Sequence, residues 1–246
     1  MQGLGRRYAL FVPALHMAMQ SAIQLVYQSM KENMSFKKVA LFDLDGVVFD
    51  TEPLYTAFWR TVFARHYPNE PQLATSIKGQ TLTWIYERYF ADKPDLQNEI
   101  TAELNAFERD MKFEYVLGFE DFIAQLHQLN VKTAVVTSSN KQKMQQVYGQ
   151  HPNFKVLFDQ VFTAEDFAKS KPDPYCYLLG ASHFGVKPTE CVAFEDSING
   201  FKSVKAAGMP LVGLATSNPV EVINRYTKVV IPNYLHASFT GLCSQL

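Results

Sequence analysis

Asp43 and Asp45 stand one residue apart where the apolar run Val39-Ala40-Leu41-Phe42 ends, and Gly46 follows at once. The run reads as a buried strand. Strand alternation sends both carboxylates to the same side, and Gly46 permits a sharp turn directly after them. Two carboxylates on one rim can hold a hard cation through oxygen, and one of them can serve as a nucleophile. Asp and Gly are also ordinary turn residues, so Asp43-Leu44-Asp45-Gly46 taken alone reads equally well as a solvated turn.

Three later strand ends carry reactive groups. One run ends Val135-Val136-Thr137-Ser138-Ser139-Asn140, offering a hydroxyl and the free amides of a helix start. Lys171 lies in Lys169-Ser170-Lys171-Pro172-Asp173-Pro174, an extended segment able to hold an ammonium over an anion. A third run ends Phe194-Glu195-Asp196-Ser197. Each has a plainer reading: a helix cap, a loop charge, an acid at a helix start. Together they supply cation ligands, an anion-binding hydroxyl, a lysine and a nucleophile, a set suited to phosphoryl transfer.

The elements that must position these groups follow from the apolar pattern. Strands are expected at 39–43, 132–137, 160–163, 191–195, 210–214 and 228–231. Helices alternate with them. One runs Phe119 to Leu129 with Phe122, Leu126 and Leu129 on one face, and Asn130 at its end. Others run Asn140 to Tyr148, Pro174 to Phe184 with Asp173 as N-cap, and Ser197 to Ala207 with Ile198, Phe201 and Val204 buried. This alternation predicts an α/β fold with a doubly wound parallel sheet. Between the first two strands no strand pattern occurs. Leu54, Phe58 and Val62, then Leu82, Ile85 and Tyr89, then Leu96, Ile100, Leu104, Phe107 and Met111 repeat at helical spacing. An all-helical insertion is therefore expected over 53–113, with Trp59, Trp84 and its tyrosines as packing residues. Hinges near Thr51–Pro53 and Tyr115–Gly118 would make it a lid over the aspartates. The core then comprises 36–52 and 114–246.

Composition narrows the class. The 246 residues are 47% hydrophobic, enough for a sizeable core. A formal net charge of −1 offers no basic face for nucleic acid. The six histidines are scattered, and Cys176, Cys191 and Cys243 form no pairing pattern, which suggests packed thiols in a reducing, cytoplasmic setting. No apolar run reaches the roughly 18 residues of a membrane span. Residues 1–35 stand apart: Arg6-Arg7 precedes an apolar run from Tyr8 to Met19, without a convincing cleavage site near Ala22, and Gln20 to Met30 suits a short helix. They are read as an N-terminal extension without function.

The motifs resemble those of the haloacid dehalogenase (HAD) superfamily, in its helical-cap, β-phosphoglucomutase-like group of phosphatases. The likeness covers about 37–235. It rests on Asp43-Leu44-Asp45-Gly46-Val47-Val48-Phe49-Asp50-Thr51-Glu52-Pro53, then Thr137, Lys171-Pro172-Asp173-Pro174 and Glu195-Asp196-Ser197, in that order. The resemblance implies a Rossmann-like core with a cap inserted after the first strand. It implies that Asp43 is the nucleophile and Asp45 the general acid/base. Thr137, Ser138 and Lys171 would bind phosphate. Asp43, the Asp45 carbonyl and Asp196 would hold Mg²⁺, with Glu195 supporting it directly or through water. Thr51 and Gly79 would face the substrate from the cap side.

Asp45 points to phosphate esters, because dehalogenases and phosphonate hydrolases of the superfamily generally lack that second aspartate. Against the β-phosphoglucomutase pattern, Tyr55 stands where the mutase carries a histidine, and Leu82 where it carries an arginine for a distal phosphate. Hydrolysis needs neither, so the expectation is a phosphatase of small phosphorylated metabolites, with a sugar phosphate mutase as alternative and a silent binding protein as the second. Hexose phosphates, polyol phosphates, phosphoglycolate and pyrophosphate all remain open as substrates. A monomer is expected, since the cap already covers the site.

Overall fold

The computed structural model describes residues 37–246, so the expected extension 1–35 lies outside the described residues. Six strands form one sheet: β1 Val39–Phe42, β2 Lys132–Val136, β3 Gln160–Phe162, β4 Cys191–Glu195, β5 Leu211–Leu214 and β6 Val230–Ile231. Their spatial order is β3-β2-β1-β4-β5-β6, with every pair parallel. The chain winds outward from β1 in one direction through β3, then returns to β1's other side with β4. The order therefore reverses between β1 and β4, and the ends of those two strands flank the crevice where open α/β sheets take their ligands.

The helices are α1 Glu52–His66, α2 Leu73–Ser76, α3 Leu82–Tyr89, α4 Pro94–Asp110, α5 Phe119–Gln128, α6 Lys141–Gln150, α7 Phe154–Leu157, α8 Tyr175–His183, α9 Ile198–Ala206, α10 Val220–Ile223 and α11 Phe239–Cys243. The doubly wound sheet and the helical insertion are thus as read from the sequence. Several ends differ. Asp43 and Thr137 make one further ladder-like bond each, to Phe194 and Phe162 carbonyls at 3.0 and 3.1 Å, and then leave the sheet. β5 begins at Leu211 because Pro210 has no N–H to pair. Pro174, not Asp173, is the N-cap of α8; Asp173 Oδ1, one residue earlier, accepts from the Tyr175 amide at 3.0 Å, and the helix begins after Pro174. Ile198 and Leu129 are only partly buried, each sitting at the end of its helix where the stripe meets solvent. Asn130 takes a left-handed conformation, φ 54°, and ends the α5 turn as expected.

Alternation along β1 divides the core. Leu41 faces an aliphatic side with Ala134, Val136, Tyr177, Ala193 and Phe201. Phe42 faces an aromatic side, stacked on Phe194 at 4.6 Å and edge-on to Phe119 and Phe122. The insertion has its own core of Phe58, Trp59, Val62, Phe63, Ile77, Ile85, Phe90 and Ile100. Trp84 departs from the expected packing role: it is 38% exposed, on the outer face of α3. The two connections to the insertion run side by side as an antiparallel pair. The Asp50 amide donates to Glu114 and the Val116 amide to Val48, at 2.8 and 2.9 Å. Gly118, at φ 82°, ends the returning connection; a Cβ there would lie 2.6 Å from the Leu235 amide nitrogen. All three cysteines are free thiols, and among the described residues no helix is long and apolar enough to cross a membrane.

Candidate active site

Three strand ends and one loop converge at the switch point. Asp43 follows β1, Thr137 follows β2, and Glu195 and Asp196 end β4. Lys171 arrives from the segment before α8. Its ammonium is 6% exposed and uses all three of its donors: Asp43 Oδ1 at 2.6 Å, Glu195 Oε1 at 2.7 Å and the Val136 carbonyl at 3.0 Å. Burial alone would lower the Lys171 pKa, but the Asp43 and Glu195 charges raise it well above the ordinary value. Burial pushes the Asp43 carboxyl up to about 7; Lys171 opposes that rise and Glu195 adds to it.

Glu195 is fully buried. Its Oε1 also accepts from Tyr177 Oη at 3.0 Å, while Oε2 accepts from the Asp196 and Ser197 amides at 2.8 and 3.0 Å and from Ser197 Oγ at 3.1 Å. Both oxygens are thus committed to Lys171 and to the turn entering α9. Glu195 sits behind the lysine and fixes it.

Asp45 has a different set of partners. Lys143, on α6, donates to Oδ1 at 2.7 Å and Oδ2 at 2.6 Å. Thr51 Oγ1 donates to Oδ1 at 2.8 Å and Ser139 Oγ to Oδ2 at 3.0 Å. Burial works to raise this carboxyl, but Lys143, Thr51 and Ser139 outweigh it and hold its pKa below the ordinary value. Lys143 and Ser139 were not among the residues singled out in the sequence. Thr51 is a correction: it is fully buried and does not line the cavity, so its hydroxyl serves Asp45 and does not face the substrate.

Asp196 lies 3% exposed, and its Oδ2 accepts from Ser217 Oγ; its carbonyl accepts from Asn218 Nδ2 at 2.8 Å. Burial, then the Glu195 and Asp43 charges, hold its carboxyl well above the ordinary range. A Cβ on Gly46 would lie 2.1 Å from Asp196 Oδ2, so only glycine lets the first turn approach this carboxylate. Asp43 and Asp196 therefore face each other's charge, and the hydrogen-bond partners of the Asp196 carboxylate, Ser217 and Thr216, are neutral. A divalent cation would relieve that repulsion. Among the described residues no three acidic, imidazole or thiol groups form a ready-made cage. The oxygen donors Asp43 and Asp196 suit Mg²⁺, which takes one or two carboxylates and fills its other positions with water and phosphate oxygens.

A cavity of about 870 Å³ opens above these groups, lined by both core and insertion. Thr137, Ser138 and Lys171 line it from the core, with Thr137 Oγ1 accepting from the Ser139 amide at 3.0 Å. Gly79, at φ 70°, lines it from the loop between α2 and α3. A Cβ there would lie 3.3 Å from Asn218 Nδ2 and 3.6 Å from Ser197 Cβ, so this loop rests on the β4 and β5 ends. Trp59 is buried in the insertion's core and also lines the cavity, joining packing to the site.

A family model of haloacid dehalogenase-like hydrolases matches residues 37–208. Validoxylamine A 7'-phosphate phosphatase of Streptomyces hygroscopicus subsp. limoneus is 30% identical over 191 residues, 76% of this chain and 89% of that protein. β-Phosphoglucomutase of Bacillus subtilis (strain 168) is 26% identical over 216 residues, 81% of this chain and 94% of that protein. In fold, the chain is similar to a HAD hydrolase of family IA, variant 3, from Entamoeba histolytica, with a TM-score of 0.72 at 19% identity over 85% of this chain and 98% of that one. With its motifs gathered at one sheet edge and its length matched from the first strand through α9, the chain belongs to the haloacid dehalogenase-like hydrolase family.

Proposed function

We propose that the protein is a Mg²⁺-dependent phosphoric monoester hydrolase of small phosphorylated metabolites, sugar phosphates foremost, working through an aspartyl-phosphate on Asp43. One observation carries this reading. Lys171 binds Asp43 through Oδ1, and among the described residues no hydrogen bond engages Oδ2, beneath a cavity that Asp45 also lines. Asp43 Oδ2 attacks phosphorus, and the bond from phosphorus to the ester oxygen breaks. With substrate bound, the negative charge of the phosphate favours the neutral form of Asp45 against the pull of Lys143, and Asp45 then protonates the departing alkoxide. It then takes a proton from water as that water attacks phosphorus and releases Asp43. Thr137 and Ser138 hold the phosphate oxygens, and Lys171, its donors committed to Asp43, Glu195 and Val136, offsets the phosphate charge through its own. Asp43, the Asp45 carbonyl and Asp196 would hold Mg²⁺, which supplies positive charge between carboxylate and phosphate.

The insertion, 53–113, serves as the cap that carries specificity. Its wall offers Gln80, Asn105, Glu52 and Glu108 for hydroxyl groups, with Lys78 as its cation. Burial raises the Glu52 carboxyl and the Lys78 charge opposes that rise, so the lysine stands near an acid. Arg88 is exposed on α3 and away from the cavity. A mutase must grip a second phosphate, and the acid beside Lys78 disfavours that grip. The relatives include both a phosphatase and a β-phosphoglucomutase, so the choice rests on this wall. A cytoplasmic monomer is the accompanying proposal, supported by the three free thiols and by a cavity that the chain's own insertion covers.

The test is the purified protein, with and without Mg²⁺, against a panel of hexose, polyol and carboxylated phosphate esters. Mg²⁺-dependent release of inorganic phosphate from polyhydroxylated esters is expected. Conversion of glucose 1-phosphates to glucose 6-phosphate with a bisphosphate primer, without phosphate release, would overturn it in favour of the mutase. No turnover across the panel would favour a silent binding protein.

A further inference from the structure

Two lysines are buried in the site, and each is bound to one of the two aspartates. Lys171 holds Asp43, with Glu195 at 2.7 Å and the Tyr177 ring 5.0 Å from its nitrogen. Lys143 holds Asp45 in a parallel arrangement. Its nitrogen lies 5.0 Å from the Tyr55 ring centroid and donates to Tyr55 Oη at 2.6 Å; Tyr55 Oη donates in turn to Glu108 Oε1 at 2.7 Å. The two sets differ in where their members lie. Lys171, Tyr177 and Glu195 all belong to the core. Lys143 is on core helix α6, whereas Tyr55 and Glu108 are on α1 and α4 of the insertion. The Lys143 side chain is only 5% exposed, and a buried ammonium is tolerated when it is paired and hydrogen-bonded. Here that pairing is complete only while α1 and α4 lie against α6.

We propose that Lys143 is a positioning residue of the hydrolysis: it fixes the orientation of the Asp45 carboxyl group for proton transfer to the leaving oxygen and ties that orientation, through Tyr55 and Glu108, to the seated insertion. The proposal rests on the phosphatase reading above. The physical reason is that Asp45, protonated in the substrate complex, must be held near its productive geometry to hand its proton to the leaving oxygen. Among the described residues Lys143 is the one donor to Asp45 that contacts both oxygens, and its ammonium also bonds a side chain of the insertion, Tyr55. Thr51 and Ser139 each reach a single oxygen.

Leaving-group chemistry separates this role from a merely structural one. An alkoxide needs a proton as it departs; a p-nitrophenolate does not. With enzyme in excess, release of the leaving group in a single turnover reports the first step alone, before water attacks Asp43. Lys143→Met is expected to slow that step about 10²-fold for a hexose phosphate, the scale of general acid catalysis, and less than about tenfold for p-nitrophenyl phosphate. Tyr55→Phe keeps the ring and should show the same selective defect at smaller size; the double variant should lose no more than Lys143→Met alone. Lys143→Arg, which keeps the charge, should recover part of the hexose phosphate rate. The p-nitrophenyl rate checks that each variant is folded, and Tyr55→Phe carries the test if Lys143→Met does not fold. Equal losses on both substrates, or no loss on either, would overturn the proposal. A wild-type enzyme that releases phosphate from neither would overturn the phosphatase reading beneath it.

Discussion

Lys171 Nζ lies 2.7 Å from Glu195 Oε1, inside the rim of the sheet where the ammonium also meets Asp43. The pair has no slack, because the start of α9 packs directly on the glutamate. A Cβ on Gly200 would lie 1.8 Å from Glu195 Oε1 and 1.9 Å from Cδ. Gly200→Ala must therefore displace the carboxylate, and Lys171 with it. Misplacement of about 1 Å near the chemistry costs on the order of 10²-fold in rate, so kcat/KM should fall about that far, with about 1–3 kcal/mol lost to overpacking. Gly149→Ala in α6 is the control: nothing lies within 4 Å of its Cβ, and its kinetics should be unchanged.

Phe122 is fully buried on the aromatic side of the sheet, 5.4 Å from Phe194 and 4.8 Å from Tyr234 between ring centroids. Phe122→Ala removes the ring from a tightly packed cluster. It should cost about 3–5 kcal/mol, read from the denaturant midpoint at unchanged slope. The residual native protein should retain its phosphate-release activity, because Phe122 touches no site residue named above.

Asp159 lies just before β3, at the edge of the sheet. Its Oδ1 meets Lys132 at 2.5 Å and its Oδ2 accepts from the Thr133 amide at 2.9 Å. Burial works to raise its carboxyl, but these partners prevail and its pKa is lowered. A carboxyl lowered on folding contributes stability above its unfolded value, near 3.9, and loses that contribution as pH falls through the folded value. Wild type should thus be more stable than Asp159→Asn near neutrality, and the two melting curves should draw together in acid. The group is about a third exposed, so the difference should be small. A gap that widens in acid would contradict the pairing.

The strand ends were readable because their chemistry is abrupt: an apolar run stops and a carboxylate or hydroxyl follows, as at Asp43, Thr137 and Glu195. The same rule would have found Thr216, Ser217 and Asn218, which follow β5 and hold Asp196. Lys143 was harder. In Lys141-Gln142-Lys143-Met144 nothing local distinguishes an inward lysine from an outward one, and a lysine on a helix is ordinarily a solvated charge. The one available signal was its spacing of four from Val147, which shares its buried face. Tyr55 was read as a packing residue of the insertion and as a departure from the mutase pattern. Its bridging role depends on Glu108 lying opposite it, 53 residues away, and that pairing arises only from the packing of α1 on α4. Thr51 was misassigned because its place beside the motif suggested the substrate, whereas the turn at Gly46 folds it back onto Asp45.

The central claim is that phosphate passes through Asp43. The most direct measurement is an acid quench during turnover of a labelled phosphate ester with Mg²⁺, followed by peptide mapping. One labelled phosphoryl group is expected on the peptide carrying Asp43, absent in Asp43→Asn, whose turnover should also be lost. Phosphate release without label on that peptide, or Asp43→Asn turning over at the wild-type rate, would contradict it.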